Sequence, residues 1–370
     1  MPPKLRIAYL AHSLRSDWNN GNAHFLRGLM RSMAALGHDV TIFEPECEWS
    51  IENLRMEKLG ARSLADFARV YPDLNIQTYA LEESKEHWRE RLNGIEIIIL
   101  HEWNPAALAR LLLDLRDEIG FKLLFHDTHH RASSSPEQMR QFGLDRFDGV
   151  LAFGEALRKI YRESFGINRV WVLHEAADTS VFHPRAHVEK ETDIVWIGNW
   201  GEGERSAEIH EFFLKPAAAL ASAARFRIYG VRYPEEGLQA LKEAHVSYGG
   251  YLPNLDAPSI YASSRLTVHI PRQQYNSAMG GIPTIRVFEA LASGIPLISA
   301  PWQDCEHLFR PGDFRFAHNA SEMTAAMQTL LNDPTAAAAQ AQCGLQTVLA
   351  RHTCAHRAEE LTNICKELLS

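Results

Sequence analysis

The sequence predicts an α/β protein of two doubly wound, Rossmann-like domains followed by a helical C-terminal tail. Short, continuously apolar runs alternate with helix-length segments, which is typical of parallel strands covered on both faces. The same alternation begins again after a polar connector that contains proline. The length of 370 residues suits two domains at roughly 150 residues each. Together these observations favour two parallel sheets in tandem.

Each element follows from this alternation. The predicted strands of the first half are residues 5–10, 39–43, 95–100, 122–126, 149–153 and 170–173, with helices at 23–36, 105–118 and 155–164. The predicted strands of the second half are 193–198, 226–230, 265–270 and 295–299. The connector near 184–192 divides the chain into domains 1–185 and 186–352. A helix over 353–370 follows, which we expect to pack back on the N-terminal domain.

Composition narrows the classes of partner and the compartment. The formal net charge is -8 and no long basic run occurs, which argues against nucleic acid as a partner. The five cysteines are widely spaced without a CxxC motif, so a reducing cytoplasm fits best. No stretch reaches the roughly 20 apolar residues of a membrane span. We therefore expect a cytoplasmic protein with at most peripheral contact to a membrane.

Ligands of open parallel sheets bind beyond the carboxyl ends of the strands, so the loops there hold the candidate site residues. The first loop ends in Gly21 and Asn22 before a helix, where the backbone at Gly21 can approach a phosphate. The alternative is that both residues only turn the chain and cap the helix. The GxGxxG fingerprint is absent from this loop, which disfavours a dehydrogenase.

A histidine-rich segment, KLLFHDTHHRASSS, follows the predicted strand 122–126. His126 beside Asp127 suits acid–base chemistry or hydrogen bonding to a substrate. A metal site is the less favoured alternative, because the spacing defines no converging ligand set. The preceding strand ends in ILHEWNP, which makes His101 and Glu102 candidate site residues in the same way. The alternative is that they only form the turn and cap the next helix.

Two further strand ends carry candidate anion-binding residues. The strand DIVWIG continues into NWGEGERSAEI, where glycines precede Arg205 at a predicted helix start, an arrangement suited to a diphosphate. A glycine turn with a solvated arginine is the alternative. In GGIPTIRVFEALASGIPLIS, a turn at Gly280 and Gly281 is predicted to open a helix that places Glu289 within reach of a ribose. Arg286 and Glu289 could instead form only an intrahelical ion pair.

The segment RVFEALASGIPLISA resembles the donor-binding segment of GT-B glycosyltransferases, particularly the family-four type and the CgeB-like spore maturation branch. Other segments in the same order extend the resemblance along most of the chain: NNGNAHFLRGLMRSMAALGHDVTIFE, LLFHDTHH, VLHEAADTSVFHP and DIVWIGNWGEGER. The resemblance implies the GT-B fold, in which two Rossmann-like domains face each other across a cleft. It also implies a nucleotide-sugar donor on the C-terminal domain and an acceptor on the N-terminal one.

The resemblance also implies roles for individual residues. Arg205 would bind the diphosphate, Glu289 the donor ribose, and His126, with Asp127, would orient hydroxyl groups near the reacting sugar. The remaining donor contacts would come from Gly21, Asn22, Gly198, Asn199, Gly280, Gly281 and Ile282. The acidic residue that the family-four pattern places eight positions before the ribose-binding glutamate is Gly281 here, so the resemblance leaves open whether transfer retains or inverts configuration.

The function expected from this resemblance is transfer of a hexosyl group from a nucleotide-diphosphate sugar. The family stabilises its leaving group with helix dipoles and cations, and no DxD motif follows a strand here, so no metal and no other cofactor are expected. The acceptor stays open among a glycan, a lipid-linked glycan, a protein and a metabolite. A GT-B epimerase and a non-catalytic nucleotide-sugar-binding protein are the alternatives.

Overall fold

A computed structural model describes residues 4–201 and 203–370. The chain forms two compact units, each with its own parallel sheet. The first unit takes the chain up to Met56, Leu64–Glu175 and Cys354–Ser370, and the second takes Glu57–Ser63 and Ala176–Thr353. No helix in these described ranges is long and apolar enough to cross a membrane.

The first unit contains a parallel sheet in the order β3-β2-β1-β4-β5-β6-β7. Its central strands are buried throughout, as the continuous apolar runs predict. The strands are β1 (Arg6–Leu10), β2 (Asp39–Pro45), β3 (Ile76–Tyr79), β4 (Ile97–His101), β5 (Lys122–Asp127), β6 (Gly149–Ala152) and β7 (Val170–Val172). Because β1, β4 and β5 are neighbours, the loops that follow them lie at one edge of the sheet.

Helices connect these strands in the first half of the chain. They are α1 (Ala23–Ala35), α2 (Trp49–Met56), α3 (Gly60–Val70), α4 (Lys85–Arg91), α5 (Ala106–Ile119), α6 (Arg131–Ser134), α7 (Pro136–Arg140) and α8 (Glu155–Ser164). A single 3-10 turn, Leu144–Arg146, precedes β6. The helix α5 ends at Gly120 in the left-handed conformation, which glycine adopts without steric cost.

The second unit contains a parallel sheet in the order β10-β9-β8-β11-β12-β13. Its strands are β8 (Thr192–Ile197), β9 (Phe226–Tyr229), β10 (Val246–Tyr248), β11 (Ser264–His269), β12 (Leu297–Ser299) and β13 (Arg315–Phe316). Buried residues of β8, β9 and β11 join Phe213 and Met327 in one core cluster. The sheet is therefore covered by helices.

The helices of the second unit are α9 (Ser206–Ile209), α10 (Lys215–Ala219), α11 (Glu235–Glu243), α12 (Ala257–Ala262), α13 (Gln273–Ser277), α14 (Ile285–Ala292), α15 (Ala320–Asn332) and α16 (Pro334–Arg351). A π-helical turn, His210–Leu214, joins α9 to α10, and a 3-10 turn, Asn254–Asp256, precedes α12. Side chains of Asn319 and Asp333 accept backbone N–H bonds at the starts of α15 and α16.

The last helix, α17 (Cys354–Leu369), belongs to the first unit and packs against α1. In this contact His38 Nε2 lies 3.0 Å from Thr362 Oγ1, and both side chains are buried. The chain therefore crosses from one unit to the other near Ala176 and returns at Cys354.

The predicted fold class is confirmed, with corrections at the level of single elements. The sequence missed β3, β10 and β13, which are short edge strands without a continuous apolar run. The helix predicted to open at Gly281 begins four residues later, at Ile285. The reason is Pro283, because a residue that precedes proline is disfavoured in the helical region.

Candidate functional sites in the two units

The first candidate site lies at the carboxyl ends of β1, β4 and β5. Parallel pairing sets His101 of β4 directly beside His126 of β5, although 25 positions separate them in sequence. His12 follows β1 by two residues and stacks on His101, with ring centroids 5.5 Å apart and planes 13° from parallel. All three rings are buried. This edge therefore gathers histidines from the ends of three strands.

His126 is completely buried. Its Nδ1 lies 2.8 Å from the hydroxyl of Tyr9, a buried residue of β1, and its Nε2 has no hydrogen-bond partner among the described residues. Burial, with His101 nearby, holds the pKa of His126 well below its usual value. The ring is consequently a neutral imidazole at physiological pH.

Asp127, the last residue of β5, is also completely buried. Its Oδ2 accepts a hydrogen bond of 2.5 Å from the Tyr161 hydroxyl, and its Oδ1 accepts one of 2.9 Å from the His129 backbone N–H. Burial, reinforced by the neighbouring Glu102, raises the pKa of Asp127. The carboxyl group therefore holds the start of the following loop in place.

His101 and Glu102 form a hydrogen-bonded group with Thr128, and all three are buried. The Thr128 hydroxyl donates to Glu102 Oε1 at 3.0 Å and accepts from the Asn22 amide at 2.8 Å. His101 Nε2 lies 3.1 Å from the Thr128 hydroxyl and 2.9 Å from Glu102 Oε2. Burial, with Arg131 nearby, lowers the pKa of His101 to about 3, whereas burial raises that of Glu102.

The side chain of Asn22 belongs to this hydrogen-bonded group. Asn22 stands at the start of α1, but its side chain makes no capping bond there and points to Thr128 instead. Gly21 lies in the turn just before this residue. Chemically, the edge presents neutral imidazoles and carboxyl groups that favour their protonated form, so it can hold and exchange protons without carrying much charge.

The second candidate site lies at the carboxyl edge of the second unit's sheet. Arg205 stands immediately before α9, as predicted. Its guanidinium donates to two backbone carbonyls, Asn199 at 2.9 Å and Ile270 at 3.3 Å, and it lies 5.1 Å from the centre of the Trp196 ring. Its Nε has no hydrogen-bond partner among the described residues. The arginine is thus held in place by neutral groups.

Two further arginines surround this guanidinium. Burial, with Arg272 and Arg286 nearby, lowers the pKa of Arg205 to about 9, so it remains a cation at neutral pH. Arg272 forms an ion pair with Glu204, and Arg286 forms one with Glu289. The sequence analysis missed Arg272. It lies three residues after β11, so the same search of strand ends could have found it.

Glu289 lies in the second turn of α14, and its side chain is completely buried. Its carboxylate pairs with Arg286 three residues earlier and accepts a hydrogen bond of 3.1 Å from the Asn254 amide. The intrahelical ion pair weighed from the sequence is therefore present. Through Arg286, this pair connects to the group around Arg205.

Close backbone contacts in and beside the loop after β8 require glycine at particular positions. Gly201 has a positive φ of 89°, and a Cβ there would lie 2.9 Å from Cβ of Arg205. A Cβ on Gly230 would lie 2.1 Å from the backbone oxygen of Gly198. The Asn199 side chain accepts a 3.1 Å bond from the Val231 N–H. These contacts bring the ends of β8 and β9 together beneath the arginine.

Gly280, Gly281 and Ile282 lie in the turn before α14 rather than at its first residues, which corrects the predicted helix start. Gly281 and Ile282 are buried, and Gly281 has a φ of 99° that favours glycine. Over residues 4–201 and 203–370, no group of three or more His, Cys, Asp or Glu side chains is arranged to hold a metal ion.

Family models match the two halves of the chain separately. Residues 19–181 match the model of Glycosyltransferase Family 4, and residues 205–363 match a model described as Glycosyl transferase-like. No curated protein matches the sequence. The first match contains His101 and His126, and the second begins at Arg205.

Solved structures match the whole chain at low identity. The glycosyltransferase from Rickettsia africae has a TM-score of 0.70 and 11% identity, covering 99% of both chains. Anabaena HepE in complex with UDP has a TM-score of 0.71 and 11% identity, covering 98% of this chain and 100% of its own. Sucrose-phosphate synthase from Thermosynechococcus elongatus has a TM-score of 0.67 and 15% identity, covering 99% of both.

These findings define the class of the protein: the chain has the GT-B fold of glycosyltransferases, with two Rossmann-like parallel sheets. Within that class, its first half is similar to family 4 and its second half to the glycosyl transferase-like family.

Proposed function

We propose that the protein transfers a hexosyl group from a nucleoside-diphosphate sugar to an acceptor without a divalent metal ion. The observation that carries the proposal is Arg205, a cation held at the carboxyl edge of a parallel sheet without a carboxylate partner among the described residues. Removing part of a cation from water is costly unless a counter-ion offsets it, and Arg205 is half-buried. A diphosphate supplies that counter-ion.

The arrangement of charge supports this role. Arg272 and Arg286 are each paired with a glutamate, so the excess positive charge falls on Arg205. When the sugar–phosphate bond breaks, negative charge grows on the leaving diphosphate. A cation that is already held in position stabilises that charge without reorganising. Amides of Gly280, Gly281 and Ile282 are proposed to add N–H donors.

We assign the donor ribose to Glu289. Arg286 and the Asn254 amide hold this carboxylate in one orientation, and a carboxylate is a strong acceptor for a hydroxyl donor. We propose that Gly198 and Asn199 contact the nucleotide. The backbone carbonyl of Asn199 accepts a hydrogen bond from Arg205 and so holds the guanidinium in position.

The finer affiliation with the CgeB-like spore maturation branch is part of the same proposal and rests on RVFEALASGIPLISA.

On the first unit, we propose that the histidine-rich edge orients hydroxyl groups of the donor sugar or acceptor. His126 offers Nε2, which has no partner among the described residues, and Asp127 fixes the loop at His129. Gly21 and Asn22 would meet the donor phosphate from the start of α1. HepE is solved with UDP and with UDP-glucose, so UDP-glucose is the donor to test first.

The test combines donor binding with turnover. Wild-type protein, Arg205→Ala and the control Arg225→Ala are screened by thermal shift against UDP-, GDP- and ADP-sugars. Arg225 removes the same charge from the same unit at the amino end of β9, where it pairs with Asp193. A donor at 100 times its dissociation constant stabilises the folded state by about 2.7 kcal/mol.

We expect one donor to stabilise the wild type and Arg225→Ala, and Arg205→Ala to lose most of this shift. Release of nucleoside diphosphate should persist in EDTA. No stabilisation of the wild type by any nucleotide sugar would overturn the proposal, and activity restored only by a divalent ion would overturn metal independence. Analysis of the products by NMR separates transfer from epimerisation.

A further inference from the structure

The exposed tryptophans of the molecule lie together in the first unit. The sequence contains eight tryptophans. Among those in the described residues, Trp49 and Trp103 are the exposed ones, at 40% and 38%. Trp49 opens α2 and Trp103 follows β4, so the pair comes from distant parts of the sequence. Large aromatic side chains that are grouped at the surface mark a binding surface more often than scattered ones do.

Both indoles lie against His12. The ring of Trp49 stacks on His12 at 6.4 Å between centroids with planes 18° apart, and Trp103 lies 6.2 Å from the same ring at 50°. Trp18 meets Trp49 edge-on at 5.7 Å. His12 is 4% exposed, and its Nδ1 has no hydrogen-bond partner among the described residues. The aromatic surface formed by Trp49, Trp103 and His12 therefore includes a buried nitrogen without a hydrogen-bond partner among the described residues.

Polar and charged groups border the same surface. The Arg131 guanidinium lies 4.1 Å from the centre of the Trp103 ring and donates to the backbone carbonyl of Glu102. His129 meets Trp103 edge-on at 5.0 Å. The ligand that fits here must cover aromatic rings and also supply hydrogen-bond partners. A lipid chain supplies none of these polar contacts, so it would leave the imidazole unsatisfied.

A pyranose ring meets both requirements. One face of the ring is lined by C–H bonds whose partial positive charge suits the negative face of an indole, and hydroxyl groups project from its rim. We propose that Trp49 and Trp103 form the stacking surface of an acceptor subsite for a pyranose residue, with His12 between them, so that the acceptor is a saccharide. This inference rests on the proposed function, which leaves the acceptor class open.

The experiment measures saccharide binding directly. Binding is measured by saturation-transfer NMR with four probes: methyl glucopyranoside, methyl galactopyranoside, N-acetylglucosamine and cellobiose. Vesicles of phosphatidylglycerol and phosphatidylethanolamine test lipid binding in parallel. The variants are Trp49→Ala, Trp103→Ala and Trp103→Phe. The control is Trp171→Ala, which removes a half-buried indole of the same unit that bonds Glu367. Thermal unfolding confirms that each variant folds.

We expect at least one pyranoside to bind the wild type saturably, with affinity reduced about tenfold or more in Trp49→Ala and Trp103→Ala and less than about twofold in Trp171→Ala. Trp103→Phe should recover part of the loss, because it keeps an aromatic face. The donor-induced thermal shift should be unchanged in all four variants.

Three outcomes would overturn the inference. These are no binding of any pyranoside by the wild type, equal binding in the tryptophan variants, or tryptophan-dependent binding to vesicles without saccharide binding. Failure of the donor shift in the wild type, with pyranoside binding intact, would instead remove the proposed function and the acceptor role together. Donor binding intact with no pyranoside binding removes the inference alone.

Discussion

The two sheet edges use opposite kinds of polar chemistry. The edge of the first unit gathers His101, His126 and Asp127, buried groups whose pKa values shift toward the uncharged form. The edge of the second unit gathers Arg272 and Arg205, and Arg205 stays cationic at neutral pH. Both edges follow from the same parallel topology. Topology therefore sets the position of a site, and the side chains at the strand ends decide its chemistry.

This contrast suits the two halves of a glycosyl transfer. Hydroxyl groups of a sugar can bind to neutral donors and acceptors, which the first edge offers. A diphosphate requires fixed positive charge, which the second edge offers. The predictions below test whether each edge depends on the property that distinguishes it.

The largest effect is expected at the cationic edge. Arg205→Ala should lower turnover by one to three orders of magnitude, because it removes the charge that we propose stabilises the leaving diphosphate. Turnover is measured as release of nucleoside diphosphate at saturating donor. The control Arg225→Ala lies at the amino end of β9, away from the carboxyl edge of the sheet, and should keep the wild-type rate. Wild-type turnover in Arg205→Ala would show that the diphosphate assignment is wrong.

A smaller effect is expected at the ribose position. Glu289→Gln should weaken donor binding about tenfold and leave kcat nearly unchanged, since the amide keeps the shape but accepts hydrogen bonds less strongly. Titration calorimetry with UDP-glucose measures the change. Glu243→Gln, on α11 of the same unit, is the matched control. Equal losses of kcat and donor affinity would argue for a role at the reacting bond.

The neutral edge should make stability depend on pH. The pKa of His101 is about 3 in the folded chain, against an ordinary value of 6.5. Below about pH 6.5 the unfolded chain binds a proton that the folded chain does not, so this contribution to stability is lost as pH falls. The slope is about 1.4 kcal/mol per pH unit for one proton. Raised carboxyl pKa values, as at Asp127, act in the opposite direction and lose stability as pH rises.

The wild type should lose unfolding free energy between pH 7 and pH 5. His101→Gln should reduce that loss by up to about 1.4 kcal/mol for each pH unit below pH 6.5. Urea unfolding at several pH values measures it. His87→Gln, at an exposed position on α4, is the control and should leave the slope as in the wild type. A slope unaffected by His101→Gln would mean that the ring takes up its proton in the folded chain.

The smallest effect concerns the tyrosine that supports Asp127. Tyr161→Phe removes a hydrogen bond that favours the ionised carboxyl group, so the pKa of Asp127 should rise further. The expected loss of stability is about 1 kcal/mol, larger at pH 9 than at pH 6. Tyr71→Phe, on the same unit near Phe67, is the comparison. Equal losses at both pH values would contradict a role for the hydrogen bond in ionisation.

Particular residues show how far sequence reasoning reached. Arg205 was predicted at a helix start, and it stands there because a glycine loop after an apolar strand is a local pattern. The ion pair of Arg286 and Glu289 is equally local, since residues three apart share a helix face. The start of α14 was wrong because the glycine pair was weighed above Pro283.

The remaining site residues carried no local signal. Tyr161 reaches Asp127 from a helix 34 positions away, and Tyr9 reaches His126 across 117 positions. Tyr9 is an ordinary member of the apolar run of β1, and Tyr161 lies among charged residues on the buried face of α8. Only packing of the sheet shows that each hydroxyl meets a buried polar group.

The sequence by itself determined the two parallel sheets, because apolar runs must be buried on both faces and the helices between them give strands the same direction. It also determined which loops hold polar side chains. The tertiary structure alone decided which of these side chains meet, because strand order places β4 between β1 and β5 and register sets His101 beside His126. Burial, which exists only in the folded chain, then decided which groups are neutral and which remain charged.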